Sequence, residues 1–162
     1  MPLVVVSDSS PIRALHHLGL LSLCAELYGS VIVPEAVQQE LSQATSTCSA
    51  IAIAEHPGFE VKSPVGKPSD LGVPSDFDPG EIEAITLAIE LPADLLLMDE
   101  RKGTKAARKL GLATIGVFGV LLEGKRKGHI SHVIPYVDRL VAELRFFASP
   151  AVRKELAQLA GE

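Results

Sequence analysis

Leu3-Val4-Val5-Val6 opens the chain as a continuous apolar run with three β-branched members and no polar face. Such a run predicts a central strand buried on both sides. It stops at Asp8, and Ser9-Ser10-Pro11 then hands over to helical spacing at Ile12, Leu15 and Leu18. The same event recurs at Leu95-Leu96-Leu97-Met98-Asp99, where a short apolar strand pattern again ends on an aspartate. In an open parallel sheet the ligand crevice lies outside the carboxyl ends of the strands. Both aspartates therefore stand where such folds carry out chemistry. Taken singly, each is also suited to capping the helix that follows it.

Between and beyond these two runs the pattern alternates. Pro11 to about Tyr28 reads as helix broken near Gly19, with Leu20, Leu21, Leu23, Cys24 and Leu27 on its apolar face. Val31-Ile32-Val33 is a second strand, and Pro34 suits the first position of a helix running from Glu35 to about Gln43. Thr45 to Glu55 reads as a further helical piece, and Phe59-Glu60-Val61 as a short edge strand. Dense proline and glycine predict a long loop over 62–78, of the kind that is functional or mobile. A helix follows from Asp78 to about Leu91, then a strand over Asp94–Met98 and a helix over Arg101–Leu110 closed by Gly111. Ala113–Val117 is the last strand, and helices follow from Gly119 to about Lys127, along Ile134, Val137, Leu140, Val141 and Leu144, and from Ser149-Pro150 through Leu159. Strands separated by helices, with no hairpin signal, predict an α/β fold with a mostly parallel sheet.

Composition narrows the function classes. With 162 residues and 47% hydrophobic content, residues 1–162 read as a single domain with a real core. The net charge of −5 argues against nucleic-acid binding over the whole surface, though not against a local basic site. The absence of Trp and an aromatic content of 4% argue against a base-stacking platform. Cys24 and Cys48 lack a CxxC pattern and read as reduced thiols of a cytoplasmic protein. No basic segment precedes the first apolar run, so it does not read as a signal peptide, and no apolar stretch reaches membrane-spanning length. Gly66-Lys67 lacks the upstream glycine of a phosphate loop, and Gly116, Gly119 and Gly124 do not match a dinucleotide fingerprint. His16 and His17 are adjacent and point to different helix faces, and His129 and His132 follow a helix-breaking Gly128, so no histidine metal site is expected.

The carboxylates carry the remaining signal. On a wheel beginning at Ala36, Glu40 falls between Ala36 and Val37, with Leu41 and Ala44 on the same side. A carboxylate inside an apolar arc is costly unless a cation stands beside it; a helix that begins later or rolls would instead leave Glu40 at the border of that arc. In the next helix Ile82, Ile85 and Ile89 mark the expected buried face. Glu81 lies about 60° and Glu83 about 140° from its centre, at 100° per residue. Glu81 is also the third residue of a capping box opened by Asp78-Pro79, which is the simplest local reading of it. Asp99 could itself cap the next helix, with Glu100 in that helix's first turn. Carboxylates converging on one crevice mouth repel one another unless a divalent cation intervenes, and oxygen-only ligation suits Mg²⁺ or Mn²⁺.

The order Asp8, Glu40, Glu81, Asp99, set in Val-Val-Val-Ser-Asp-Ser-Ser-Pro, Ile-Val-Pro-Glu-Ala-Val-Gln-Gln-Glu, Gly-Glu-Ile-Glu-Ala-Ile and Leu-Met-Asp-Glu-Arg-Lys-Gly, resembles a PIN-domain nuclease. The tail, from Gly119-Val-Leu-Leu through Lys125-Arg126-Lys127-Gly128 to Phe147–Pro150, is similar to an uncharacterised prokaryotic branch related to VapC-type toxins. The resemblance covers nearly the whole chain and is weakest between Thr45 and Asp78. It implies a three-layer α/β/α sandwich, a Mg²⁺ or Mn²⁺ site, and hydrolysis of single-stranded RNA by activated water. It also implies a small antitoxin as partner and a homodimer. Carried over residue by residue, Asp8, Glu40, Glu81 and Asp99 match the acidic quartet, and Ser9 matches a hydroxyl that supports the metal shell. Many PIN domains have Asp where Glu81 stands, so Glu83 or Glu100 are candidates to share that role.

Lys102, Lys105, Arg108 and Lys109 form a basic stripe directly after Asp99, and Lys125-Arg126-Lys127 form a second patch. Each reads either as an RNA phosphate track or as basic charge favoured near a helix C-terminus. The function expected from the sequence is a metal-dependent endoribonuclease. The alternative is a non-catalytic PIN-like module that binds RNA or protein.

Overall fold

The computed structural model describes residues 3–162. Five strands form one all-parallel sheet: β1 (Val5–Ser7), β2 (Val31–Pro34), β3 (Phe59–Lys62), β4 (Leu95–Leu97) and β5 (Thr114–Ile115), in the order β3-β2-β1-β4-β5. Among the described residues eight helices surround it: α1 (Ser9–His17), α2 (Leu23–Tyr28), α3 (Glu35–Leu41), α4 (Pro79–Glu90), α5 (Arg101–Lys109), α6 (Val117–Arg126), α7 (Ile134–Leu144) and α8 (Pro150–Ala160). The chain winds outward from β1 through β2 to β3, then returns to the other side of β1 as β4. That reversal makes β1 and β4 the switch point of the sheet, where open α/β folds place their crevice.

The three inner strands β1, β2 and β4 are buried on both faces, as the apolar runs predict, whereas the edge strands β3 and β5 are only partly covered. Val5, Val31, Val33 and Leu97 join a core with Ile12, Leu15, Leu23, Val120, Leu121 and Leu140, on the side covered by α1, α2, α6, α7 and α8. Val6, Ile32, Leu96 and Met98 join a second core with Ala84, Ile85, Ala88 and Ala107, on the side of α4 and α5. The period-2 alternation of the strands thus divides their side chains between two helical layers, giving the PIN-like α/β/α sandwich. No helix among the described residues is long and apolar enough to cross a membrane.

Several boundaries differ from expectation for local reasons. The first helical stretch is two helices, broken at Leu18–Ser22 around Gly19, whose φ of +73° suits glycine. Thr45 to Glu55 is not helical apart from a 3₁₀ turn at Ile53–Glu55. Instead the Thr45 hydroxyl accepts from the backbone N–H of Cys48 at 2.9 Å, a turn that competes with helix formation. The 62–78 loop carries a 3₁₀ turn at Pro68–Leu71, buries Val73 in the second core, and donates from Val65 N–H to the Glu90 carboxylate at 3.0 Å.

Candidate functional site

Asp8 directly follows β1, and Asp99 lies two residues beyond β4. The β1–β4 register pairs Ser7 with Leu97, and the Asp8 N–H donates to the Leu97 carbonyl at 2.9 Å. Both aspartates are therefore fixed by the sheet at its switch point. Neither caps the helix that its sequence position suggests. Asp8 precedes α1 but makes no side-chain capping bond to it. At α5 the cap is Glu100, which accepts from the Gly103 N–H at 2.5 Å. Asp99 instead turns one oxygen, Oδ1, to the N–H of Val117 at the start of α6, at 3.0 Å. A Cβ on Gly116 would lie 2.5 Å from that oxygen, so only glycine allows the approach.

The other oxygens are the informative ones. Asp8 is 3% exposed, and its Oδ1 is buried without a hydrogen-bond partner; Oδ2 of Asp99 is buried and unpartnered too. Buried carboxylate oxygens in folded proteins are normally satisfied, because leaving one bare forfeits its hydration. Burial pushes the Asp8 carboxyl up to about 7, the Ser9 backbone N–H opposing, with the charges of Asp78, Glu40 and Asp99 adding to the rise. Asp99 is pushed up to about 6 by burial, opposed by the Val117 N–H.

A cleft of ≈ 380 Å³ gathers six carboxylates: Asp8, Glu40, Asp78, Glu81, Asp99 and Glu100. The predicted quartet is thus brought to one place, though the surroundings of two members differ from the sequence reading. Glu40 is not held inside an apolar arc. α3 buries only Val37 and Leu41, and Glu40 is exposed at the lip, where its Oε1 accepts from the Ser9 hydroxyl at 2.9 Å. Glu81 is more buried than its expected flank position. The buried face of α4 centres on Glu81, Ala84, Ile85 and Ala88, while Ile82 and Ile89 are only partly covered. The capping box is half-built: the Asp78 side chain accepts from the Glu81 N–H at 2.9 Å. Burial first, then the hydrogen bond and charge of Asp78 and the charges of Asp8 and Glu100, raise the proton affinity of Glu81. Glu83 is only half-exposed; it accepts from the Ala36 N–H at 3.3 Å at the start of α3 and does not line the acidic cleft.

Asp78 and Arg145 also line the cleft, and neither was singled out for it by sequence. Asp78 was legible as a cap, and the cap residue beside Glu81 was the signal available. Among the described residues no three acid, imidazole or thiol groups close into a ligand cage. An open shell still fits a hard cation, since Mg²⁺ keeps several waters and takes only one or two carboxylates plus substrate oxygens. The two unpartnered aspartate oxygens are donors of the hard, anionic kind that such a cation takes.

A larger cleft of ≈ 670 Å³ adjoins the first through Asp99. It is lined by Arg101, Lys105, Arg108 and Lys109, with Thr104 and Thr114. Arg108 is steadied by its Nε donating to the Thr114 hydroxyl at 2.8 Å. Lys102 is exposed on α5 but does not line this cleft. The second basic patch is largely engaged elsewhere. Lys125 binds the Ala160 carbonyl and Glu162, Arg126 pairs with Glu123 at 2.8 Å, and Lys127 is exposed.

No curated protein matches the sequence. The sequence model of the PIN domain family matches residues 4–162, nearly the whole chain, and the chain belongs to that family, whose fold is of the nuclease type.

Proposed function

We propose that the protein is a metal-dependent endoribonuclease that hydrolyses single-stranded RNA at the acidic cleft. The observation that carries this is the pair of bare, buried oxygens, Asp8 Oδ1 and Asp99 Oδ2, at the switch point of the sheet. A purely structural site leaves them unexplained, whereas a Mg²⁺ or Mn²⁺ ion would take both as ligands. Asp8 and Asp99 would hold the ion, with Glu81 and Glu40 completing its surroundings through water. When bound, a divalent ion supplies Lewis-acid polarisation of the phosphate and activation of water at neutral pH.

The chain's own groups divide the remaining work. The Ser9 hydroxyl orients Glu40. The Val117 N–H fixes one oxygen of Asp99 and so aims the other into the cleft. Glu81, anchored beside Asp78, faces the same cleft and is placed to orient water there. The cationic cleft beyond Asp99 gives the flanking RNA a phosphate path along Lys105 and Arg108, with Lys102 on the outer side of α5. Lys125, Arg126 and Lys127 would contribute only at the far edge, because the first two already have carboxylate partners. Kinship with VapC-type toxins, a small antitoxin partner and a homodimer rest on the sequence resemblance, a cytoplasmic location rests on the two cysteines, and all belong to this proposal.

The test is cleavage of a labelled single-stranded RNA in Mn²⁺ by wild type, D8N and D99N. Both variants keep the shape of the side chain, and D99N keeps an oxygen for Val117. Wild-type cleavage lost in chelator and in both variants supports the reading. RNA binding without any metal-dependent cleavage favours the non-catalytic module.

A further inference from the structure

We propose that Arg145 is a catalytic residue that grips a non-bridging oxygen of the scissile phosphodiester. The proposal rests on the ribonuclease reading above. Arg145 stands at the end of α7 and is the only cation among the residues lining the acidic cleft. Every other arginine on α7 and α8 is engaged: Arg139 with Glu143 at 3.2 Å and Arg153 with Asp138 at 2.8 Å. Arg145 forms no ion pair among the described residues, although six carboxylates share its cleft.

Its backbone is the second observation. Arg145 has φ +59° and is the only described non-glycine residue with positive φ. At a helix C-terminus this left-handed position is normally given to Gly or Asn, which occupy it without a steric penalty. The turn around it is held firmly. The Phe146 N–H donates to the Leu140 carbonyl at 3.1 Å, and the Phe146 ring packs on Phe118 with centroids 6.0 Å apart. The fold therefore imposes a conformation for which arginine is a poor backbone choice. A side-chain function accounts for its presence, and strained positions of this kind gather at functional sites.

The chemistry that fits is recognition of a phosphate. A guanidinium offers a planar fork of donors matched to phosphate oxygens and stays charged at all working pH values. Once a cation offsets the carboxylates, the remaining charge to be stabilised is that gathering on the phosphoryl oxygens during displacement. Preorganised cationic donors aimed at such charge are worth about 10²-fold or more in rate.

The test compares wild type, R145G, R145N and R145K in three measurements: steady-state cleavage of single-stranded RNA in Mn²⁺, melting in chelator, and the melting shift given by Mn²⁺. Glycine and asparagine suit the positive φ, so R145G and R145N should melt at or above the wild-type temperature in chelator. Their kcat should fall about 10²-fold, with a smaller change in KM and an unaltered Mn²⁺ shift. R145K should retain an intermediate rate. Cleavage by R145G and R145N at the wild-type rate overturns the proposal while leaving the ribonuclease reading intact. A clear loss of melting temperature in both also overturns it, by showing a structural role. Absence of cleavage by wild type itself refutes the ribonuclease reading, and this inference falls with it.

Discussion

Asp8→Asn in the metal-free protein isolates the energetic consequence of a bare buried carboxylate. Raising the Asp8 carboxyl from 3.8 to about 7 makes its ionised form unfavourable in the folded state by about 4 kcal/mol, at ~1.4 kcal/mol per tenfold change in proton affinity. The sign follows from linkage. Because the folded value lies above the unfolded one, the penalty is absent below about pH 3.8, grows through the acid range and is complete above about pH 7. The metal-free wild type should therefore lose stability between pH 4 and pH 7. Asparagine removes the charge but leaves an imperfectly paired amide, which costs about 1–3 kcal/mol. The net gain for D8N at pH 7.5 is then ~2 kcal/mol, or a rise of about 4–8 °C in melting temperature for a domain of this size. At pH 5, where the wild-type carboxyl is mostly protonated, the penalty shrinks to roughly 2 kcal/mol and the gain nearly vanishes. The assay is thermal melting in chelator at both pH values. A D8N variant less stable than wild type at pH 7.5, or a gain of equal size at pH 5, would refute the reasoning.

Further expectations concern the walls of the two clefts. Glu81→Gln should lower Mn²⁺-dependent RNA cleavage at least tenfold more than Glu83→Gln in steady-state assays, because Glu83 is spent on the Ala36 N–H and does not line the acidic cleft. A Lys105→Ala, Arg108→Ala double variant on an inactive D99N background should flatten the slope of log RNA affinity against log salt by about 1.4 units, at about 0.7 for each phosphate contact on a single strand. Lys125→Ala should change that slope much less than the double variant does in the same titration and instead lower the melting temperature by a few degrees, since it loses the bonds to Ala160 and Glu162.

Much of this site was legible in sequence because β1 and β4 are buried on both faces. An apolar run that stops on an aspartate marks both the strand and its carboxyl end, so Asp8 and Asp99 could be placed before any tertiary information. Their hydrogen-bond partners could not. Asp99 serves α6, eighteen residues away in sequence, and the cap of α5 is Glu100, one residue later than the sequence pattern put it. Glu40 lines the cleft from the border of α3, the second of its two sequence readings, and not from inside an apolar arc. A seven-residue helix such as α3 buries only the Val37–Leu41 stripe, too narrow for a wheel to resolve. On α4 the isoleucines pointed to the wrong centre, because small residues mark the closest packing there, and Ala84 and Ala88 carry Glu81 inward. The turn at Thr45 was hidden because one hydroxyl bond outweighed weak helical spacing. Arg145 carried no sequence signal at all, since its left-handed conformation is set by how the chain reverses between α7 and α8.

The claim that the bare oxygens of Asp8 and Asp99 are cation ligands is tested most directly by locating the ion. Crystals equilibrated with millimolar Mn²⁺ and measured by anomalous scattering should show a peak within ligand distance of Asp8 Oδ1 and Asp99 Oδ2, absent from D8N crystals. An acidic cleft without Mn²⁺ density at saturating metal, or a peak bound elsewhere and unaffected by D8N, would contradict the account.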